Sequence, residues 1–138
     1  MLGTLTLLQI EEVIKGQIVG RIGCHANGMT YVVPVSYAYD GDYIYVRTFE
    51  GLKLDMMRKN PKVCFQVDDT HDMANWQSVI ASGEFEELTN ETEKKAALKI
   101  LIDRHQSKIY GFIYSKIQSS KNISFIQILY IEFQNIIF

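Results

Sequence analysis

Residues 48–53 combine the residue types that bind a phosphate group. The segment contains a hydroxyl at Thr48, a glycine at Gly51 and an ammonium at Lys53, where a predicted strand ends and a predicted helix begins. The N–H groups at a helix N-terminus attract an anion, glycine lets the backbone approach it, and lysine adds a positive charge. An ordinary turn with a solvated lysine explains the same pattern, so this segment alone does not establish a phosphate site.

Pro34 lies in the middle of an apolar, extended segment, residues 31–37. Because proline has no N–H, it removes a hydrogen bond from a sheet and is normally confined to an edge strand. Two interpretations remain open. Either the strand has a bulge or an exposed edge at Pro34, or a planar heterocycle lies against this backbone and pairs with groups that the sheet leaves unpaired.

Two further side chains are candidates for contact with a ligand. Trp76 follows a polar loop and begins a strand that continues with Gln77 and Ser78, so polar groups lie beside an aromatic face. Arg47 ends the third predicted strand, six residues before Lys53. Its permanent charge would stabilise an anionic ligand if it faces the site, whereas alternation along the strand is equally compatible with a solvated arginine.

The histidines and cysteines show no spacing typical of a metal site or of nucleophilic catalysis. His25, His71 and His105 fall in a predicted strand, a loop and a helix end. Cys24 and Cys64 lie in separate apolar stretches and are predicted to be buried free thiols. The sequence therefore indicates no metal site, and it assigns no catalytic residue.

Length and charge limit the class of protein. The 138 residues suffice for a single domain over residues 1–138. The formal net charge is −2 and the basic residues do not cluster on one predicted element, which argues against nucleic-acid binding. The first residues lack the features of a signal peptide, and no apolar run approaches the ~18 residues of a membrane span. We therefore expect a cytoplasmic protein without a membrane segment.

Turn residues between extended runs predict antiparallel hairpins. Asn27 and Gly28 form a strong hairpin signal between two such runs, and a second turn follows at Gly41. Gly83 is a candidate bulge in a later strand. The acidic residues that follow it are predicted to form a solvated strand face: Glu84, Glu86 and Glu87.

The spacing of apolar residues divides the chain into short helices and strands. We predict an α+β fold that is mainly β, a small six-stranded antiparallel barrel with short flanking helices. The predicted helices cover residues 7–16, 52–59 and 90–104, and the predicted strands cover residues 18–26, 29–39, 43–48, 62–68, 76–88 and 123–133.

Five short stretches occur together in a characteristic order. They are Val-Gly-Arg-Ile at 19–22, Tyr-Val-Val-Pro-Val-Ser-Tyr at 31–37, Gly-Leu-Lys at 51–53, Asn-Pro-Lys-Val-Cys-Phe at 60–65 and Trp-Gln-Ser-Val-Ile-Ala-Ser-Gly at 76–83. This succession resembles the pyridoxamine 5′-phosphate oxidase-like flavoproteins, and most closely their nitroimidazole-resistance branch. The resemblance extends from residue 5 to about residue 104 and is more specific than any single stretch.

The resemblance implies a split β-barrel that binds FMN and forms a homodimer with two flavins near the subunit interface. In such proteins the Gly-x-Lys stretch and the hydroxyl before it hold the phosphate, the Val-Pro-Val strand lies along the isoalloxazine ring, and the Trp-x-Ser-Val strand flanks it. The candidate cofactor contacts are Val33, Pro34, Val35, Ser36, Arg47, Thr48, Gly51, Lys53, Trp76, Gln77 and Ser78.

The resemblance also implies a function. We expect an oxidoreductase in which FMN carries electrons from NAD(P)H to a small-molecule acceptor. The alternative is a binding module that stores, senses or buffers FMN, or that has exchanged it for haem. A homodimer is expected because a split barrel leaves strand edges and apolar side chains that need cover, above all along residues 123–133.

Three features depart from the pattern of the resembling proteins. Arg47 stands where many members of the nitroimidazole-resistance branch have a histidine associated with that activity, so nitroimidazole reduction is not expected. The tail, residues 131–138, lacks the glycine-arginine ending common among relatives. Nothing after Lys121 resembles the Arg-x-His segment of true pyridoxamine 5′-phosphate oxidases, so vitamin B6 synthesis is not expected.

Overall fold

The computed structural model describes residues 3–104 and the backbone of residues 123–134. The helices are α1 (Leu7–Gly16), α2 (Leu52–Lys59) and α3 (Glu91–Arg104). The strands are β1 (Val19–Ala26), β2 (Met29–Tyr39), β3 (Tyr43–Phe49), β4 (Lys62–Thr70), β5 (Trp76–Leu88) and β6 (Ile123–Gln134).

The strands form a curled antiparallel sheet in the order β3, β2, β1, β4, β5. The backbone of β6 pairs with both β3 and β5, which closes the sheet into a barrel. The predicted mainly β class with flanking helices is confirmed. The register of β5 against β6 shifts between Ser82 and Gly83 because β6 has one extra residue there, so the irregularity lies opposite the predicted position and belongs to β6, whereas β5 pairs with β4 without a break at Gly83.

The β1–β2 hairpin closes through a two-residue turn that brings Ala26 opposite Met29. Asn27 has a φ of 53° and Gly28 a φ of 75°. Both values lie in the left-handed region that two-residue hairpins require, and asparagine and glycine adopt it more readily than other residues. The turn therefore fixes the register of β1 against β2.

Alternating side chains fill the interior of the barrel. Tyr37 and Phe65 are almost completely buried and pack edge to face, with 4.8 Å between ring centroids. The Tyr37 hydroxyl donates a 2.6 Å hydrogen bond to the carbonyl of Ile14, which fastens α1 to the sheet. Gly20 leaves room for the Phe65 ring, because a Cβ on Gly20 would overlap that ring and lie 2.9 Å from the carbonyl oxygen of Gln66.

The structure corrects one prediction about the thiols. Both cysteines are free, as predicted, and Cys24 is buried, but Cys64 is exposed. The reason is the alternation along β4, where Val63 and Phe65 take the inward positions and Cys64 faces outward. The Cys64 sulfur lies close to Gly23, where a Cβ would come within 2.7 Å of it.

Some predictions fall outside the described part of the chain. They concern His105, the side chains of residues 123–134 and the tail residues 135–138. Among the residues that are described, no helix combines the length and the apolar character needed to cross a membrane.

Candidate functional site

Strands β2 and β3 are paired over only three residues of each strand. The pairs are Tyr37 with Val46, Ala38 with Tyr45 and Tyr39 with Ile44. In the described part of the chain this ladder goes no further, although β2 extends back to Met29 and β3 extends on to Phe49. The two strands therefore diverge. We call the opening between residues 33–36 of β2 and residues 47–49 of β3 the β2–β3 split.

The backbone N–H and carbonyl groups of alternate β2 residues face this split. The N–H of Tyr37 donates to the carbonyl of Ile18 on the β1 side, at 3.2 Å. Because backbone groups alternate in direction along a strand, those of Ser36 and Pro34 point away from β1 and toward the split. The missing N–H of Pro34 therefore costs no β1–β2 hydrogen bond. In the described residues, Pro34 therefore lies on a side of β2 that no strand pairs with, and the planar heterocycle stays a prediction.

The side chains of this β2 segment alternate between the barrel interior and the outer face. Val35 is buried and Val33 packs against the core. Pro34 and Ser36 are exposed on the outer face. The exposed backbone edge is thus anchored by two valines, which hold it in place without using its polar groups.

The turn from β3 into α2 lies at one end of the split. Thr48 is buried, with 8% of its surface exposed, and its hydroxyl donates to the carbonyl of Phe49 at 3.3 Å. Gly51 is the N-cap of α2, and no side chain in the described residues caps this helix end. Lys53 follows in the first turn and is half-buried. The predicted phosphate-binding residues therefore do lie together.

Burial affects the ammonium of Lys53. Loss of solvent lowers the pKa of Lys53 below its usual value, and the nearby Cys24 thiol opposes that change. Burial in turn raises the pKa of Cys24, with Cys64 acting in the same direction and Lys53 against it. A partly desolvated cation of this kind gains more from a neighbouring anion than an exposed lysine does.

Gly51 is not required by the fold. Its φ of 167° is extended backbone that any residue adopts, and a Cβ placed on it would meet no atom within 4 Å. The close approach of a ligand to the backbone, the reason given for glycine from the sequence, therefore stays a prediction. The open space beside Gly51 is compatible with such an approach.

Arg47 lies on the outer face of β3, between the inward-facing Val46 and Thr48. Its side chain is half-buried, so it is not the fully solvated arginine that the alternation also allowed. Its backbone pairs with that of Phe125 on β6. Arg47 therefore borders the split from the β3 side.

The structure does not place the remaining candidates beside the split. Trp76, Gln77 and Ser78 begin β5, and β1 and β4 lie between β5 and β2 in the sheet. All three are half-buried. The Ser78 hydroxyl accepts a 2.9 Å hydrogen bond from the side chain of Gln66 in β4. In the described sheet, β5 pairs with neither strand of the split.

One cluster near the split carries no signal in the sequence. The guanidinium of Arg58 in α2 forms hydrogen bonds with both Glu50 and Glu87. This corrects the prediction that Glu87 belongs to a solvated face, because its side chain is only 28% exposed and is ion-paired. The contact joins residues 29 positions apart, so only the tertiary fold reveals it.

Compared with protein families and with known proteins, the sequence matches one family over most of its length. The model of the pyridoxamine 5′-phosphate oxidase family matches residues 8–136. An uncharacterized protein of Rhizobium meliloti (strain 1021) is 32% identical over 80 residues, a match that covers 58% of this chain and 53% of that protein. This chain thus spans about half the length of that relative.

Two solved structures are similar over nearly the whole chain. A FAD-binding protein from Mesorhizobium loti is 28% identical, with a TM-score of 0.76, and the match covers 96% of this chain and 93% of that one. A protein from Bacteroides thetaiotaomicron named for 5-nitroimidazole antibiotic resistance is 21% identical, with a TM-score of 0.78, over 96% of this chain and 86% of that one. At that level of identity the second likeness shows a shared fold only.

Proposed function

This chain belongs to the pyridoxamine 5′-phosphate oxidase family, and from that membership we propose that it binds FMN in the β2–β3 split and passes electrons from NAD(P)H to a small-molecule acceptor. One observation carries the proposal: residues 33–36 of β2 and residues 47–49 of β3 leave the β2–β3 ladder and border one opening, and α2 begins directly after β3. The divergence of β2 from β3 also supports the six-stranded split barrel that the sequence resemblance implies.

The chemistry at the α2 end of the split fits a phosphate group. Lys53 supplies an ammonium, and the first turn of α2 supplies N–H groups that no described side chain caps. The Thr48 hydroxyl adds a donor if it turns from the carbonyl of Phe49 toward the ligand. These are the donors that bind a phosphate dianion in proteins. We assign the phosphate of FMN to Thr48, Lys53 and the backbone at Gly51.

The exposed edge of β2 fits the ring of the flavin. The carbonyl of Pro34 and the N–H and carbonyl of Ser36 face the split, and a planar heterocycle with donors and acceptors along its rim matches such groups. Val33 and Val35 keep this edge in position from the interior. When bound, FMN supplies the redox chemistry, and the protein contributes its orientation and its electrostatic surroundings. The charge of Arg47 at the border of the split favours an anionic ligand.

We further propose that the working form is a homodimer. Trp76, Gln77 and Ser78 are expected to flank the cofactor, yet the strand that carries them, β5, pairs with neither strand of the split. A second copy that brings these residues to the split would complete the site. Apolar side chains are also exposed along β2, at Met29 and Val32, and at the start of β1, at Ile18 and Val19, and a second copy could cover some of them.

An absorbance spectrum of the purified protein, followed by anaerobic addition of NADH or NADPH, tests the proposed function. We expect a flavin spectrum, release of FMN on denaturation, and bleaching by one of the two donors. If bound flavin is not bleached by either donor, a storage or sensing module is favoured over an oxidoreductase. A Soret band would show that the bound group is haem and not flavin. Release of FAD on denaturation would show that the cofactor is FAD and not FMN.

A further inference from the structure

Arg58 engages two carboxylates with all three nitrogens of its guanidinium. Nη1 and Nη2 donate to the two carboxylate oxygens of Glu50, at 2.9 and 2.8 Å. Nε and Nη2 donate to the two oxygens of Glu87, at 3.0 and 2.8 Å. Paired contacts of this kind fix direction as well as distance, because the guanidinium is planar and rigid.

The two carboxylates belong to parts of the fold that do not otherwise pair. Glu50 lies in the turn between β3 and α2, next to Gly51 and two residues after Thr48. Glu87 lies near the end of β5. In the closed barrel, β6 lies between β3 and β5 on one side, and β2, β1 and β4 lie between them on the other. Arg58 therefore ties the turn that carries the proposed phosphate site to a strand on the far side of β6.

The charge of Glu50 makes this contact relevant to phosphate binding. A carboxylate between Thr48 and Lys53 repels an anion bound by the same turn. The ion pair with Arg58 engages both oxygens of Glu50, so the carboxylate is directed at the guanidinium and its charge is partly offset. Asp55, at 3.7 Å from Arg58, adds a further negative charge that this arginine faces.

We propose that Arg58 is a positioning residue for the phosphate group of the flavin. By holding Glu50, it fixes the turn over residues 48–53 in the shape that binds phosphate and keeps a negative charge away from it. This inference rests on the proposed function. It concerns only the phosphate, so it predicts different effects on FMN and on riboflavin, which has the same ring without the phosphate.

The test is titration of the apoprotein with FMN and with riboflavin, read by flavin fluorescence, in the wild type and in variants. Arg58→Gln is expected to weaken FMN binding about tenfold or more, the loss of a charge-assisted contact, while riboflavin binding changes little. Lys59→Gln removes the same charge from an exposed position of the same helix and is the matched control. It is expected to leave the ratio of the two affinities unchanged.

Two further variants separate positioning from folding. In Arg58→Gln with Glu50→Gln, the repelling charge is gone but the turn still lacks its contact with Arg58, so FMN binding is expected to recover only part of the loss; full recovery would overturn the positioning role. Arg58→Lys keeps the positive charge but loses the paired hydrogen bonds to each carboxylate. It is the variant to be measured if Arg58→Gln does not fold. It is expected to weaken FMN more than riboflavin.

The outcomes are distinct. An unchanged affinity ratio in folded Arg58→Gln or Arg58→Lys, or equal loss of both ligands, would show that Arg58 only supports the fold and would overturn the inference. Failure of the wild type to bind either flavin would overturn the proposed function, and the inference with it.

Discussion

Replacing Lys53 with alanine is the most direct test of the phosphate assignment. The ammonium is half-buried in the first turn of α2, and its pKa is lowered by burial. A hydrogen bond to a charged group contributes about 1.5–3 kcal/mol, and each 1.4 kcal/mol is a tenfold change in Kd. We therefore expect Lys53→Ala to weaken FMN binding by about 10- to 150-fold, measured by fluorescence titration.

The fold should tolerate this change. The substitution removes an ammonium whose charged form is disfavoured by burial. The free energy of unfolding should therefore change little. Lys59→Ala, at an exposed position of the same helix, is the control and should bind FMN like the wild type. An unchanged FMN affinity in folded Lys53→Ala would refute the phosphate assignment.

The same side chain predicts a dependence on pH. Since burial lowers the pKa of Lys53, the ammonium loses its proton at a lower pH than an ordinary lysine does. Its contribution to FMN binding is complete well below that pKa and is lost as the pH rises through it. The difference in Kd between wild type and Lys53→Ala should therefore shrink at alkaline pH, and a constant difference would argue against a role for the charge.

Three other predictions concern packing, charge and assembly. Gly20→Ala should lower the free energy of unfolding in urea by about 1–3 kcal/mol, because its Cβ would meet the Phe65 ring and a rigid backbone carbonyl. Gly16→Ala is the control and should not destabilise the protein, because the space around Gly16 is open. Arg47→Met should lower the flavin midpoint potential by several tens of millivolts, where 30 mV is about 1.4 kcal/mol for two electrons; an unchanged potential and FMN affinity would remove Arg47 from the site. Sedimentation should find a species near twice 15.9 kDa, and a monomer carrying flavin would contradict the dimer.

Local signals were enough to predict most of the fold. The Asn27-Gly28 turn requires two left-handed residues, and the structure has φ values of 53° and 75° there. The bounds of α2 also agree with its sequence limits, Gly51 before it and the Asn60-Pro61 pair after it. Such features depend on neighbours in the chain, so the sequence determines them directly.

The tertiary part of the site was not predictable in the same way. Pro34 indicated an edge, but only the β2–β3 register shows that the edge opens beside Thr48. The pairing of Arg58 with Glu87 depends on which strands become neighbours, and alternation alone assigned Glu87 to solvent. Likewise, Cys64 lies in an apolar run yet faces outward, because run composition does not say which face of a strand is inside.

Among the described residues, no strand pairs with residues 33–36 of β2 on the side of the split, and a proline suits such an open edge. An unpaired strand edge attracts further strands, since it presents N–H and carbonyl groups in alternation. Pro34 removes one N–H from the side that faces the split, so another strand would pair poorly there. A small ligand that binds to the carbonyl of Pro34 and to the N–H and carbonyl of Ser36 loses no hydrogen bond through the missing N–H of Pro34. The same residue therefore disfavours strand addition and leaves the edge available to a flavin ring.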